Sequence, residues 1–283
     1  MKLKAYAKLN LALDITGKRS DGYHDLDTIM QSISLYDTVT IEKSHIISVQ
    51  MSKGDVPEKS NTAYKAVELF CKLTGLMGAT ISIDKQIPSM AGLGGSSTDA
   101  AAVLIGLNKL YNTKLPHSTL AHIGKQIGAD VPFCMEGGTA RAKGIGEKLQ
   151  HLRLTKPLHF VVVKPHQGVS TAKAFSAYKP SSKISIESVA FAIQKGDIEL
   201  FNKYSGNALG MAALSIAPDI LKAASALRPF GKAFMSGSGS SMFCVFATEE
   251  EAENAAQSID GKFELCGSFH TKHTGIEIIG DNE

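Results

Sequence analysis

The stretch Pro88-Ser-Met-Ala-Gly-Leu-Gly-Gly-Ser-Ser-Thr-Asp-Ala-Ala-Ala102 decides the fold of this 283-residue chain. The alternating residues 79–84 before it predict a strand, and Leu104, Leu107 and Tyr111 after it lie at helical spacing. The first turn of a helix has unpaired N–H groups and the positive end of the helix dipole. Glycines let such a backbone approach a ligand closely. The stretch therefore predicts a phosphate-binding loop.

The loop matches neither of the two commonest phosphate-binding motifs. A Walker A loop ends in Gly-Lys-Ser/Thr, whereas Ser96 follows Gly95 here. The dinucleotide fingerprint also fails, because Ser97 stands where the third glycine of Gly92-x-Gly94-x-x-Gly is required. The alternative interpretation is a glycine-rich turn with a serine N-cap and no ligand.

Composition limits the classes of function. The hydrophobic fraction of 43% and charged fraction of 20% indicate a globular protein, and a net charge of +3 disfavours nucleic acid as a partner. We find no signal peptide and no stretch of transmembrane length, and we expect a cytoplasmic protein without membrane association. The histidines show no metal-ligand spacing, so we expect no structural zinc. Four widely spaced cysteines predict reduced core thiols: Cys71, Cys134, Cys244 and Cys266.

The pattern of elements predicts an α+β fold with two domains, residues 1–154 and 155–283, divided near Leu152–Pro157. Strands are expected at 29–35 and 38–42, and a closing strand at 262–270. Helices are expected over 61–74, from a cap at Ser118 to Gly128, and over 171–178, 184–195, 198–214 and 249–258.

The first strand carries one candidate catalytic residue. In residues 5–13, Lys8 and Asn10 share one face and point the same way, with Arg19–His24 as the following turn. Asp130 follows the end of a helix among apolar residues. Alone, Lys8 reads as a surface lysine and Asp130 as a turn residue. As a pair near a phosphate loop they suit phosphoryl transfer to an alcohol, with the aspartate as base and the lysine steadying charge.

Other candidates are weaker. Gly237-Ser-Gly-Ser-Ser241 is a second glycine–hydroxyl loop, which is either a simple turn or a second wall of the phosphate site. Thr171 and Phe175 are four residues apart and share a helix face, suited either to stacking on a planar base or to core packing. Tyr23 and His24 are further candidates, although an isolated tyrosine or histidine is more often a packing or surface residue.

These motifs resemble a known superfamily. Pro88–Ala101 is similar to the second motif of the GHMP kinases, and Gly237–Ser241 to the third. Ala7–Leu13, Gly17–His24 and Gly128–Phe133 resemble a narrower family within it, the kinases of diphosphocytidyl-methylerythritol. The resemblance extends from the first strand to beyond residue 241.

The resemblance implies a GHMP kinase fold, with a ribosomal S5 domain 2-like amino-terminal domain that binds ATP and a ferredoxin-like carboxy-terminal substrate domain. It implies transfer of the ATP γ-phosphate to the 2-hydroxyl of diphosphocytidyl-methylerythritol, with Mg²⁺ accompanying ATP. Asp130 is then the base and Lys8 its partner. The implied ATP-binding residues are Asn61, Pro88, Ala91, Gly92, Leu93, Gly94, Gly95, Ser96, Ser97 and Thr98. The implied substrate-binding residues are Asn10, Tyr23, His24, Thr171, Phe175, Gly237, Ser238 and Gly239.

Two positions depart from the family pattern. Ser96 replaces a glycine, and Ser240 stands where proline or alanine is usual. Two rival functions fit the same loops: a GHMP kinase that acts on homoserine, mevalonate or a sugar, and a non-catalytic nucleotide-binding protein. The acceptors of the other kinases have no cytosine, so they give Tyr23, His24 and Phe175 no common function. A non-catalytic protein is expected to have lost Lys8 or Asp130, and both are present. An RNA-binding module is disfavoured because there is no basic stripe.

Overall fold

The computed structural model describes residues 1–54, 57–180 and 184–280, which form two sheets covered by helices. The first sheet has seven strands: β1 (Lys2–Lys18), β2 (His24–Ser44), β3 (Ile47–Met51), β4 (Gly78–Asp84), β5 (Thr139–Gly144), β6 (Lys148–His151) and β11 (Ile276–Gly280). The second sheet has four strands: β7 (His159–Lys164), β8 (Phe234–Met235), β9 (Met242–Phe246) and β10 (Leu265–His270).

Four helices pack on the first sheet: α1 (Thr62–Thr74), α2 (Gly95–Leu110), α3 (His117–Ile127) and α4 (Val131–Glu136). The side chain of Asn61 caps α1 by accepting from the amide of Ala63, and left-handed Gly75 ends it. Alanines over 100–102 let α2 pack closely, so most of this helix is buried in the core. This burial fixes the start of α2, and with it the glycine loop, against the sheet.

Six helices accompany the second sheet: α5 (Thr171–Ala177), α6 (Ile186–Lys195), α7 (Ile198–Tyr204), α8 (Gly210–Ile216), α9 (Ile220–Leu227) and α10 (Glu249–Ser258). All pairings in this sheet are antiparallel, with the order β10-β7-β9-β8. The α+β class is therefore confirmed, because only β3 and β4 pair in parallel among the named strands of the described chain.

One hydrophobic core lies between the two sheets. Leu9 and Leu11 from β1 lie in the same cluster of buried residues as Phe160 from β7 and Phe243 from β9. The strand that carries Lys8 is therefore held from both sides. The division at residue 154 stays a prediction, although by hydrogen bonding the last strand, β11, belongs to the first sheet.

Some predicted elements differ from the structure. The predicted strand pair 29–35 and 38–42 is part of one strand, β2, and Pro116 rather than Ser118 is the N-cap residue of α3. The helix predicted over 198–214 is interrupted because Gly206 and Ala208 form backbone hydrogen bonds with Leu13. The strand over 262–270 does not close the fold, because β11 follows it.

The cysteine prediction holds for three of the four residues. Cys71, Cys134 and Cys244 are buried free thiols, whereas Cys266 is exposed, so the prediction of a core thiol is wrong there. The outward position follows from its place on β10, where the neighbouring strand residues are only partly buried. No helix in the described parts of the chain has the length and apolar character needed to span a membrane.

Candidate active site

The two glycine loops meet at the junction of the sheets. Ser236, just before the second loop, donates from its hydroxyl to the carbonyl of Gly92 at 2.8 Å and accepts from the amide of Asn10 at 3.1 Å. Gly92 has φ +74°, and a Cβ atom added there would lie 2.1 Å from the carbonyl oxygen of Ser236. This contact explains the need for glycine at this position, and both loops line one cleft, as two walls of a phosphate site would.

The first loop presents the start of α2 to a cleft of about 1380 Å³. Gly94 is the N-cap residue in left-handed conformation (φ 73°), and no side chain caps the helix. Because the first amides of a helix point outward and carry positive partial charge, this geometry suits an anion. Ser96 lies in the first turn of α2, so this departure from the family pattern imposes no left-handed backbone on serine. Ser240, the other departure, donates to the carbonyl of Gln167 at 2.6 Å.

Lys8 and Asp130 come together beside this loop, as expected. The ammonium of Lys8 lies 3.5 Å from the Asp130 carboxylate, and their side chains are 5% and 30% exposed. The amide of Lys8 donates to the carbonyl of Leu93 at 2.9 Å. A Cβ atom on Gly94 would lie 2.9 Å from the Lys8 side chain. The glycine loop therefore packs along the stem of the lysine and directs its ammonium to the cleft.

A tight corner places Asp130. Gly128 ends α3 with extended backbone, and Pro132 lies in the first turn of α4, where its missing N–H costs nothing. Asp130 occupies the N-cap position of α4, but its side chain makes no capping hydrogen bond. Its carboxylate is therefore available to the cleft rather than used by the helix.

Asn10 extends this polar group along β1. Its side-chain oxygen accepts from the ammonium of Lys8 at 2.5 Å, and its amide nitrogen donates to the hydroxyl of Thr28 at 2.9 Å. Thr28 in turn donates to the carbonyl of Ala12 at 2.6 Å. These bonds fix which way the Asn10 amide points and confirm that Lys8 and Asn10 lie on one face of the strand.

An aromatic group also lines the cleft. The rings of His24 and Phe175 are stacked with centroids 5.3 Å apart and planes at 23°, and the Tyr178 ring meets His24 edge-on at 5.9 Å. Tyr23 is 62% exposed at the rim. Thr171 is joined to Ser238 by a hydroxyl–hydroxyl hydrogen bond of 2.9 Å. Tyr178 is not among the residues predicted from sequence, because an isolated tyrosine after a helix gives no signal of its own.

The cleft gathers nearly all of the candidate residues. Two are buried behind its surface rather than in its lining: Thr98 and Gly239. Asn61 lines the cleft, but its side-chain oxygen is committed to the cap of α1. The residues of the first loop and helix start that line the cleft are Pro88, Ala91, Gly92, Leu93, Gly94, Gly95, Ser96 and Ser97. The candidate substrate residues that line it are Asn10, Tyr23, His24, Thr171, Phe175, Gly237 and Ser238.

A buried charge cluster under the first loop was also missed. The ammonium of Lys85 contacts Asp37 and Asp99, and all three side chains are nearly inaccessible to solvent. Burial lowers the pKa of Lys85, but Asp99 and Asp37 outweigh it, so the net pKa lies above the usual value. Burial also raises the pKa of Asp99 to about 7, with Lys85 acting against this rise. Because the three residues are far apart in sequence, no local pattern indicates the cluster.

Comparison with known proteins identifies the family of the chain. The profile "GHMP kinases N terminal domain" matches residues 61–138, and "GHMP kinases C terminal" matches residues 190–265. A protein of Carboxydothermus hydrogenoformans named 4-diphosphocytidyl-2-C-methyl-D-erythritol kinase is 44% identical over 262 residues, covering 89% of this chain and 91% of that protein. A protein of Acetivibrio thermocellus with the same name is 44% identical over 261 residues, covering 89% and 92%.

Solved structures are similar as well. A crystal structure of 4-(cytidine 5'-diphospho)-2C-methyl-D-erythritol kinase superposes with a TM-score of 0.79 at 32% identity, covering 95% of this chain and 99% of that one. A homoserine kinase from Cytophaga hutchinsonii superposes with a TM-score of 0.78 at 18% identity, covering 99% and 97%. The second likeness concerns the fold alone.

Proposed function

The chain belongs to the 4-diphosphocytidyl-2-C-methyl-D-erythritol kinase family of the GHMP kinases, and from this premise we propose how its residues carry out the reaction. The proposed reaction transfers the γ-phosphate of ATP to the 2-hydroxyl of 4-diphosphocytidyl-2-C-methyl-D-erythritol, in the non-mevalonate route to isoprenoid precursors. The observation that supports it most is the Lys8–Asp130 pair, 3.5 Å apart beside the start of α2.

Transfer in this proposal is direct, without a covalent enzyme intermediate. Asp130 accepts the proton of the acceptor hydroxyl as that oxygen attacks the γ-phosphorus in line with the leaving oxygen of ADP. Lys8 lies between Asp130 and Asn10, so its ammonium is held where negative charge develops on the transferring group. Asn10, oriented through Thr28, holds the methylerythritol end of the acceptor.

The phosphates of ATP are assigned to the first loop and the start of α2, where left-handed glycines and uncapped amides suit them. No group of three or more His, Cys, Asp or Glu side chains in the described chain is arranged to hold a metal ion. Mg²⁺ commonly binds through substrate phosphates and one or two carboxylates, so it is proposed to accompany ATP. When bound with ATP, the ion would neutralise charge on the triphosphate.

The cytidine end of the acceptor is assigned to the aromatic group of Tyr23, His24 and Phe175, with Thr171 and Ser238 beside it. A pyrimidine stacks well on such rings. Homoserine, mevalonate and sugars have no planar base, so this group disfavours them as acceptors. Residues 1–154 would then bind ATP and residues 155–283 most of the acceptor, in a cytoplasmic enzyme.

The substrate assignment is tested by ADP release with a panel of alcohols. We expect rapid, Mg²⁺-dependent release with diphosphocytidyl-methylerythritol and little with homoserine, mevalonate or galactose. Faster turnover of any of the other alcohols would contradict the assignment. Absence of turnover with all of them, together with binding of ADP, would favour a non-catalytic nucleotide-binding protein.

Replacement of Phe175 by alanine tests binding of the acceptor separately from binding of ATP. Stacking of a base on an aromatic side chain contributes about 1–3 kcal/mol, so we expect Phe175→Ala to raise KM for the cytidylated acceptor by about 5- to 150-fold. KM for ATP should stay within about twofold, because the ATP phosphates are assigned to the backbone of the first loop, whereas the Phe175 ring stacks on His24. Steady-state kinetics with each substrate varied in turn measure both constants.

Phe191→Ala is the matched control, because Phe191 is 55% exposed on α6 and does not line the cleft. An equal rise of both KM values in Phe175→Ala would indicate general disruption of the fold. An unchanged KM for the acceptor would contradict the assigned role of Phe175.

A further inference from the structure

The buried cluster of Asp37, Lys85 and Asp99 joins the two ends of the phosphate loop. Asp37 accepts the amides of Gln86 at 2.5 Å and Ile87 at 2.8 Å, so it holds the chain that enters the loop. Asp99 belongs to α2, the helix that leaves the loop, and accepts from the ammonium of Lys85 at 2.6 Å. The same ammonium also contacts Asp37. Lys85 therefore connects the entry and the exit of the loop.

The cluster lies directly under the site assigned to phosphates. A Cβ atom on Gly95, the first residue of α2, would lie 3.4 Å from the nitrogen of Lys85. Both Lys85 and Asp99 line the cleft. Any charge placed on the start of α2 will consequently interact with these three groups through an interior that screens charge poorly.

The charges of the cluster do not balance. One ammonium faces two carboxylates, and the second oxygen of Asp99 is buried without a hydrogen-bond partner. With both carboxylates ionised, the cluster carries a net charge of −1 beneath a site that must accept a triphosphate. With one proton bound, the cluster is neutral. Burial raises the pKa of Asp99 to about 7, in line with a carboxyl that gains or loses its proton near neutral pH.

We propose that Asp99, held by Lys85 and Asp37, takes up a proton when a nucleotide binds, so that protonation of this cluster is coupled to occupation of the phosphate loop. The proposal rests on the nucleotide site assigned above and concerns its regulation by pH. Asp99 and Lys85 are positioning residues in this account, because they act through the backbone of the loop. The proton comes from solvent and neutralises the extra carboxylate as phosphate charge arrives.

Neighbouring ionisable groups do not supply the same effect. The thiol of Cys134 on α4 interacts electrostatically with Asp99, but its burial raises its pKa well above the usual range, so it stays neutral. Lys8 on β1 and Asp130 beside α4 also carry charge near Cys134, and they face the same cleft. Lys8 and Asp130 are also present in Asp99→Asn. Any contribution they make to proton uptake therefore cancels when the uptake of this variant is subtracted from that of the wild type.

Calorimetric titration with ADP at pH 7.8, in Hepes and in Tris, tests the proposal. The two buffers differ in ionisation enthalpy, so the difference in observed heat gives the protons taken up per ADP bound. We expect the wild-type protein to take up a substantial fraction of a proton more than Asp99→Asn. ADP itself ionises equally in both titrations, so its contribution cancels. Equal uptake by the two proteins would overturn the proposal.

Glu264→Gln is the control, because Glu264 pairs with the buried Lys164 in the second sheet and does not line the cleft. Its proton uptake should equal that of the wild type. If the proton uptake of Glu264→Gln instead falls to the value for Asp99→Asn, the loss is a general effect of removing a buried ion pair, and the proposal is wrong. ADP that fails to bind to the wild type would contradict the nucleotide site itself, which distinguishes failure of the proposed function from failure of this inference.

The pH dependence of ADP affinity gives a second test that needs no variant. Above pH 7 the wild-type Kd should rise with pH, by at most about tenfold per pH unit, because each binding event must then draw a proton from solution. Asp99→Asn should lack this rise and bind ADP more tightly than the wild type at pH 8. A wild-type Kd that does not rise between pH 7 and 8.5 would overturn the proposal even if Asp99→Asn failed to fold.

Discussion

Replacement of Asp130 by asparagine is expected to lower kcat by about 10²- to 10⁴-fold, because asparagine cannot accept the proton of the acceptor hydroxyl. The change should leave the fold intact, since the side chain makes no capping hydrogen bond and is 30% exposed. ADP affinity should change little, because the phosphates are assigned to the backbone of the first loop rather than to Asp130. Single-turnover kinetics and calorimetric titration with ADP measure these two effects separately.

The matched control is Asp219→Asn, which removes an exposed carboxylate paired with Lys222 near α9. Its kcat should equal that of the wild type. A normal kcat in Asp130→Asn would exclude Asp130 as the base. A loss of ADP affinity as large as the loss of kcat would instead place Asp130 in nucleotide binding.

Replacement of Gly92 by alanine is expected to lower the free energy of unfolding by about 3 kcal/mol or more and to abolish turnover. Two costs add at this position. The backbone has φ +74°, which side-chain-bearing residues rarely adopt, and the new methyl group would lie 2.1 Å from the carbonyl oxygen of Ser236. The atom in the way is backbone, so relief requires the two glycine loops to move apart. That movement would remove the second wall from the site.

Gly75→Ala separates these costs. Gly75 ends α1 with nearly the same φ, +76°, but nothing lies within 4 Å of an added Cβ atom. We expect it to lose only about 1 kcal/mol and to keep its activity. Chemical denaturation of both variants gives the two free energies. If Gly92→Ala is no less stable than Gly75→Ala, the close contact between the loops is wrong.

Local sequence patterns were enough to predict the helices and strands whose signals lie within their own segments. The strand–loop–helix from Gly78 to Leu110 and the helix Glu249–Ser258 follow from periodicity and turn residues, and α10 has the capping box of Thr248 and Glu251 as an additional local signal. Pairings between distant segments were not predictable in this way. The interruption of the helix predicted over 198–214 depends on Leu13, nearly two hundred residues earlier, and nothing near Gly206 in the sequence announces it.

The candidate site likewise contains residues that could be predicted from the sequence and residues that could not. Lys8 and Asp130 were proposed as a pair because each was an isolated charge in apolar surroundings, and the structure brings them to 3.5 Å. Motif resemblance placed the two loops and the aromatic residues. The cluster around Lys85 was missed because Asp37, Lys85 and Asp99 become a unit only when β2, β4 and α2 assemble. A charge that follows a strand in sequence gives no sign of whether it is buried.

The pairing of β11 with β1 has a consequence for biosynthesis. Tyr6 donates through its backbone amide to Gly275 at 2.9 Å, and residues 2–5 pair with residues 276–280. The strand bearing Lys8 is synthesised before β11, so one of its edges stays unpaired until residues 275–280 have been translated. An unpaired strand edge is a template for association with other chains. Nascent chains stalled before residue 275 should therefore depend on chaperones more than the released protein does.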